Sequence, residues 1–521
     1  LRWRRVLSPV AAAFCVLVSA CAEPEPRRDF VMQIADYPRT LDPAQSYDFM
    51  STAVVGKVFT GLLTFDPQTL ELRPELAESY EVLDEGRVLR FHLRRGARFH
   101  HGREVTAEDF RFAFERLLRQ DPPAPAAWIL HPLRGAVAFA RGEAEEIAGL
   151  EVEDPHTLKL ELEIPFSPFL QHLAMPSAAA MARETTHPGA LPSGTGPFRV
   201  ESADPERGVI TLGAFDDYHR GAPTLESIEL RVIADPGRAL ESYWQGELDM
   251  LAHLPVSFRT AWRSELGAEL HQWPILTLNY LVPSADRLPP EILPRRALAQ
   301  AIDRQALCDE VLQGNCQPAA GILPPGIQGH DPMVQDLPHR PEAAAELLAE
   351  AGHPEGRGLG ELGLWVQERV EQESVAYAIA GQLARVGLRV DVRPVPWAEL
   401  LEVAVTGQYD LLLIPWTADY PDPDNFLFPL LHGSQCGVKN YACYQNPEFD
   451  RLVDAARTAG SDAERVELYQ RAERLALQDA PFVPLYYPYD AVVLRTGWRG
   501  LTLHPMGWQE IPLELLSWRS E

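Results

Sequence analysis

Val31–Ala35 reads as a strand, and Leu89–Leu93 as another in which apolar and polar residues alternate, the period of a strand with one buried face. Thr106 is a natural helix N-cap. Glu108 and Asp109 fill the turn that follows, and Phe110, Phe114, Leu117 and Leu118 fall on one helical face. A strand is predicted over Ile228–Ile233, leading to a helix near Gly237–Gln245. Further strands are predicted over Leu276–Leu281, Leu362–Val366, Leu388–Val392 and Leu411–Pro415, with helices between them over Pro341–Ala351, Gln372–Val386 and Trp397–Val405. Asn446–Ala459 and Asp462–Gln478 read as an antiparallel helical pair, followed by strands over Phe482–Tyr487 and Ala491–Arg495. Strands alternating with helices predict an α/β fold with sheets covered on both faces. No repeat of 20 to 50 residues and no low-complexity tract interrupts the pattern.

At 521 residues the chain is long enough for two or three domains. Its apolar share of 46% and charged share of 23% suit a globular protein with a large core. The formal charge is −27 with no basic block, which excludes nucleic acid as a partner, since phosphates need a Lys/Arg surface. Of 47 basic residues only Lys57, Lys159 and Lys439 are lysines, a bias of base composition.

Arg2, Arg4 and Arg5 precede an apolar run over Val6–Ala20, the length of a secretory signal core and short for a membrane span. The run ends in Val18-Ser19-Ala20-Cys21, which resembles the lipobox of bacterial lipoproteins, in which the Cys is lipidated and becomes the first mature residue. Residues 1–20 are thus expected to be a signal peptide and 21–26 a proline-rich lipidated tether. The plainer alternative is an ordinary signal peptide with an incidental Cys. The expected product is an exported protein held at the cell envelope, on the periplasmic or extracytoplasmic face, by Cys21 alone. Four further cysteines form two close pairs, Cys308/Cys316 and Cys436/Cys443, which suit disulfides across short loops in an oxidising compartment. Zinc is the competing reading, but neither pair has C-x-x-C spacing and no His lies between the partners.

Motifs of catalysis are missing from the sequence: H-E-x-x-H, G-x-S-x-G and the P-loop do not occur. Gly358, Gly360 and Gly363 spell G-x-G-x-x-G but precede a predicted strand instead of linking a strand to a helix, so they make no dinucleotide site. His100-His101 reads as a turn pair, and no metal or cofactor is expected. Asp419, Asp422 and Asp424 cluster beside prolines without a nucleophile or partner base. The chain does not read as an enzyme.

A series of short motifs then takes on meaning through its order. It runs Leu41-Asp42-Pro43, Phe59-Thr60-Gly61-Leu62, Leu76-Ala77-Glu78-Ser79-Tyr80, the stretch from Phe91 to Gly102 leading into Thr106–Phe110, and Gly194-Thr195-Gly196-Pro197-Phe198. It continues with Ala297-Leu298, Ala301-Ile302-Asp303-Arg304, Tyr409-Asp410, Trp416-Thr417-Ala418-Asp419-Tyr420-Pro421-Asp422-Pro423 and Phe482-Val483-Pro484-Leu485-Tyr486. Over residues 30 to 490 this series resembles the extracellular solute-binding proteins of ABC transporters, family 5, the class of dipeptide, oligopeptide and nickel binders. The resemblance implies a two-lobed periplasmic-binding-protein-like fold with a hinge and an additional domain. Lobe I would comprise 27–50, 193–275 and 489–521, the extra domain 51–192, and lobe II 276–488, with chain crossings near 276 and 488. Ligand would be enclosed between the lobes of a monomer, then delivered to an ABC permease and its ATPase.

The resemblance also implies a site. In the peptide binders the Asp of the Trp-x-x-Asp motif, here Asp419, pairs with the ligand's α-ammonium, since a carboxylate in a closed cleft must meet a cation. The alternative is that Asp419 caps the proline-rich turn. Trp416 and Trp397 match side-chain pocket positions, and Trp128 a groove aromatic; aromatic walls accept varied side chains, although core packing would also explain them. Backbone around Ile34 and across Pro415–Thr417 would pair with an extended ligand. One departure stands out: the stretch Val366–Glu373, where some relatives meet the peptide carboxylate with basic side chains, offers only Arg369. The expected ligand is a small peptide; the same fold could hold a glycan, opine or metal chelate, or serve an envelope chaperone or sensor.

Overall fold

The computed structural model describes residues 28–187, 190–252, 254–284, 292–334 and 337–519; the signal segment, Cys21 and the tether lie outside them. Twelve strands form one large sheet. In chain order they are β1 (Arg28–Ile34), β2 (Phe198–Asp204), β3 (Val209–Ala214), β4 (Leu225–Val232), β5 (Met250–Leu251) and β6 (Leu270–Pro274). Then come β7 (Thr277–Pro283), β8 (Cys316–Pro318), β9 (Glu361–Gln367), β10 (Arg389–Val395), β11 (Leu411–Thr417) and β12 (Val483–Leu494). In space they run β10-β9-β11-β7-β12-β5-β1-β4-β3-β2, with β6 and β8 also paired to β12.

β12 belongs to both halves of the sheet. Its first part pairs with β7 (Leu281↔Val483, Asn279↔Tyr486) and its last with β6 (Pro274↔Tyr489 to Leu270↔Val493). β6 runs into β7 through Ile275 and Leu276, and the Ile275 N–H donates to the Pro488 carbonyl at 3.3 Å. Two antiparallel runs therefore cross side by side from one lobe to the other. The sequence pattern predicts two strands here, over 482–487 and 491–495; the structure has one of 12 residues. Pro488, Tyr489 and Asp490 look like a break, yet Tyr489 and Asp490 stay in register with Pro274 and Trp273, because the ladder changes partner there instead of ending.

Between β1 and β2 the chain builds the additional domain. Its antiparallel sheet runs Ala77–Leu83, Val88–Leu93, Thr157–Glu161, Leu150–Asp154 in space. Helix α1 (Phe49–Val58) precedes that sheet, and α2 (Ala107–Arg119) packs Phe110, Phe114 and Leu117 into one core with Phe91, Leu158 and Leu160. A Thr106–Asp109 capping box starts α2. A boundary between 50 and 51 cuts through α1, whose Ala53, Val54 and Val58 pack with Phe30, Met32 and Ile34 of β1. Helix α1 is also why the Gly194–Phe198 motif carries two glycines. A Cβ on Gly194 would stand 2.0 Å from the Val58 carbonyl oxygen, and one on Gly196 2.6 Å from that of Lys57. The Thr195 and Thr60 hydroxyls meet at 2.7 Å, so Phe59–Leu62 and Gly194–Phe198 are two sides of one contact.

Lobe II holds α3 (Trp397–Thr406), α4 (Asp424–Leu431), α5 (Pro447–Thr458) and α6 (Asp462–Asp479) beside β7, β9 and β11. The continuous apolar run Leu411–Ile414 is buried, as expected of a strand covered on both faces, and Pro415–Thr417 emerge half-buried. The structure joins Cys308 to Cys316 ahead of β8, and Cys436 to Cys443 in the loop after α4.

Candidate functional site

Where β11 leaves the core, the chain turns through Ala418–Pro423 into α4. The first turn of α4 fixes that turn: the Trp416 indole N–H donates to the Asn425 carbonyl at 2.7 Å, and the Asp419 N–H donates to the Asn425 side-chain oxygen at 2.9 Å. Thr417 is tied to Thr277 across the β7–β11 pair through hydroxyls 2.9 Å apart.

The three clustered aspartates have different surroundings. Asp422 is fully buried and accepts from Arg465 at 2.8 and 2.6 Å. Asp424 accepts from the hydroxyls of Tyr420 (2.9 Å) and Tyr469 (3.0 Å) and lies 3.1 Å from the Arg457 guanidinium. Asp419 has no such cation: among the described residues, no basic nitrogen comes within ion-pair distance of it. Its carboxylate accepts one hydrogen bond from the Tyr47 hydroxyl at 3.1 Å. Burial pushes its pKa up, against the opposing pull of the Asn425 and Tyr47 side chains and of the more distant Lys439. Asp419 in turn, together with burial, raises the Tyr47 phenol.

Asp419 opens onto a cavity of about 850 Å³ between the two halves of the molecule. Tyr47, Trp128, His131, Glu163, Phe166 and His172 line one side; Trp416, Asp419, Phe428, Lys439 and Arg457 line the other. Trp128 meets the His172 ring edge-on at 5.0 Å and Tyr420 at 6.2 Å. Burial lowers the His172 pKa to about 4, so the imidazole is neutral at physiological pH. The volume and the aromatic walls suit a small organic solute, and the under-compensated carboxylate suits a cationic group on it.

Of the residues singled out from sequence, Asp419, Trp416 and Trp128 meet at this cavity, with Thr417 adjoining on β11. Trp397 does not line it: the indole is the first residue of α3 and is 39% exposed. Ile34 is packed in the lobe I core, and its carbonyl accepts the Ile233 N–H at 3.0 Å. Arg369 is exposed at the start of the helix Val370–Arg385 and is also outside the lining. β11 pairs with β7 over its whole length but with β9 only at Leu411 and Leu412, so among the described strands Pro415–Thr417 keep one edge unpaired. Tyr47, Lys439 and Arg457 are cavity residues that sequence reasoning misses. Tyr47 lies 372 positions from its partner Asp419, and no periodicity reaches that far. Asn425 had a local signal, a polar amide in the first turn of a helix just after the motif.

A cleft between two lobes, crossed by paired strands and holding a carboxylate without a counter-ion, defines a solute-binding receptor. The family model of bacterial extracellular solute-binding proteins, family 5 Middle, matches residues 71–437, and the chain belongs to this family. It is 30% identical to di/tripeptide-binding protein 4 of Pseudomonas aeruginosa (strain UCBPP-PA14) over 475 residues, 86% of this chain and 87% of the relative. It is 28% identical to heme-binding protein A of Haemophilus influenzae over 505 residues, 92% and 90% of the two chains. Among solved structures, HbpA2 from Haemophilus parasuis superposes with a TM-score of 0.81 at 25% identity, covering 95% of this chain and 100% of that one. Among the described residues no helix is long and apolar enough to cross a membrane.

Proposed function

We propose that this protein captures a short peptide, two or three residues long, and delivers it to an ABC permease and its ATPase. The observation that carries the reading is Asp419, a carboxylate in an aromatic-walled cavity with the Tyr47 hydroxyl for a partner and, among the described residues, no cation at ion-pair distance. A peptide's α-ammonium supplies the missing charge. Pro415–Thr417 offer the open strand edge along which the peptide backbone lies, and Trp128 and Trp416 take its side chains by apolar contact. The di/tripeptide binders among the relatives support the same ligand class. Protein purified from its native host without unfolding, then denatured, is expected to release di- and tripeptides identifiable by mass spectrometry. A heme or another non-peptide solute recovered in stoichiometric amount overturns the peptide reading.

The receptor is held at the cell envelope by a lipid on Cys21, a reading supported by the Val18-Ser19-Ala20-Cys21 motif. Cys21→Ser is expected to move the protein from the membrane fraction to the soluble fraction. Wild-type protein that is soluble with an unmodified N-terminus overturns the anchor.

A further inference from the structure

We propose that Lys439 reads the acidic end of the bound solute, its ammonium taking a carboxylate while Asp419 holds the amine, so that the cavity selects a zwitterion. The assignment rests on the reading of Asp419 as the ammonium site and adds the group that meets the other end.

The cavity's other charged groups are already engaged or neutral. Arg457 is committed: it lies 3.1 Å from Asp424, and its guanidinium sits 3.5 Å over the Phe428 ring and 4.8 Å over Phe166. His172 and His131 are both depressed in pKa by burial and stay neutral. Glu163 accepts the Gly135 N–H at 2.9 Å, and Asp454 faces His432 at 3.4 Å. The other two lysines are occupied, Lys57 by the carbonyls of Gln509 and Ile511 and Lys159 by Glu151. Lys439 differs from all of these. Among the described residues its Nζ has neither a hydrogen bond nor an ion pair, and it stands 5.7 Å from the Trp416 ring centroid.

The backbone under this side chain, whose ammonium meets the Trp416 ring and no polar group among the described residues, is held firmly. Cys436 and Cys443 close the loop. The neighbouring Asn440 is wholly buried and pinned by four hydrogen bonds: its amide donates to the carbonyls of Leu431, His432 and Tyr444 at 3.2, 3.2 and 3.0 Å, and its oxygen accepts the Tyr444 N–H at 3.0 Å. The Lys439 N–H itself donates to Gln435 at 3.2 Å. A fixed backbone carrying an uncommitted cation into a cavity is the arrangement of a preorganised ligand contact. Lys439 is near enough to pull the Asp419 pKa down but too far to form an ion pair with it. The two charges therefore line the same cavity without forming an ion pair, as a ligand bearing the opposite pair requires. This also answers the lack of a basic side chain from the Val366–Glu373 segment in the cavity lining.

Titration calorimetry on the full protein tests the assignment with Ala-Phe, Leu-Leu and Ala-Ala-Phe, each as the free acid, the C-terminal amide and the N-acetyl form. Wild type is expected to prefer free acid over amide by about tenfold or more, the size of one charge-assisted contact. Lys439→Gln should erase that preference and leave the N-acetyl penalty intact; Lys439→Arg should keep both. Lys439 is half-exposed and has no polar side-chain partner among the described residues, so both variants should fold as wild type does. A free-acid preference that persists unchanged in Lys439→Gln overturns the assignment while leaving the peptide reading in place. Failure of wild type to bind any of the peptides overturns both.

Discussion

Asp419→Asn is expected to weaken binding of a free-amine dipeptide by about thirtyfold to several thousandfold. The substitution keeps the side-chain shape but leaves an enclosed ammonium without its counter-ion, which costs about 2–5 kcal/mol. N-acetylating the peptide should weaken binding to wild type and add little further loss in the variant, because both changes remove the same pair. The pH dependence follows in sign. Burial raises the Asp419 pKa in the empty cavity, whereas an ammonium ligand requires the ionised form. Wild-type affinity should therefore fall as pH drops through that raised value, and Asp419→Asn should flatten the dependence. Binding that survives both substitution and acetylation at wild-type strength would remove the ammonium anchor and shift the ligand class away from peptides.

The second large effect is expected at Arg465→Met, which removes the partner of Asp422, the carboxylate three residues beyond Asp419. Asp422 and Arg465 are 0% and 4% exposed, and the guanidinium also holds Gln328 at 3.0 Å. Breaking such a pair from one side strands a buried carboxylate and costs about 3–5 kcal/mol. The denaturation midpoint should fall accordingly at neutral pH. The loss should be smaller in acid, since burial already raises the Asp422 pKa and the unpaired group can take up a proton. Asp422→Asn together with Arg465→Met should recover part of the loss. A change under about 1 kcal/mol in the single variant would mean that the pair is not holding the floor of the site.

The contrast among Asp419, Asp422 and Asp424 marks how far the sequence could be read. Three carboxylates within six positions are visible as a cluster, and the Trp-x-x-Asp motif points to the first of them. That the other two are neutralised by Arg465 and Arg457 depends on helices α5 and α6 folding back over the turn, which no local pattern encodes. The regular elements were legible because their apolar periods are strong: α2 begins at Ala107 after its Thr106 cap, and β9, β10 and β11 lie within a few residues of the predicted strands. Short strands of the additional domain, such as Leu150–Asp154, escape because Leu150 and Val152 are its only apolar residues and neither is fully buried, which leaves a weak pattern. Trp397 looked like Trp416 in sequence, an aromatic beside a proline, but one opens a helix at the surface and the other ends a strand at the cavity.

The order in which the chain emerges during synthesis gives the long strand β12 another meaning. It pairs with β5, β6, β7 and β8, strands that precede it by some 165 residues or more in the chain, and it is the bridge between both halves of the sheet. Neither half can be completed until Val483–Leu494 has left the ribosome, long after the strands it joins. Loop closure over such separations is slow compared with local helix formation. The large sheet therefore stays incomplete until β12 arrives, and the two lobes cannot take their final form while the chain is still emerging, even though the additional domain already has a sheet and a core of its own.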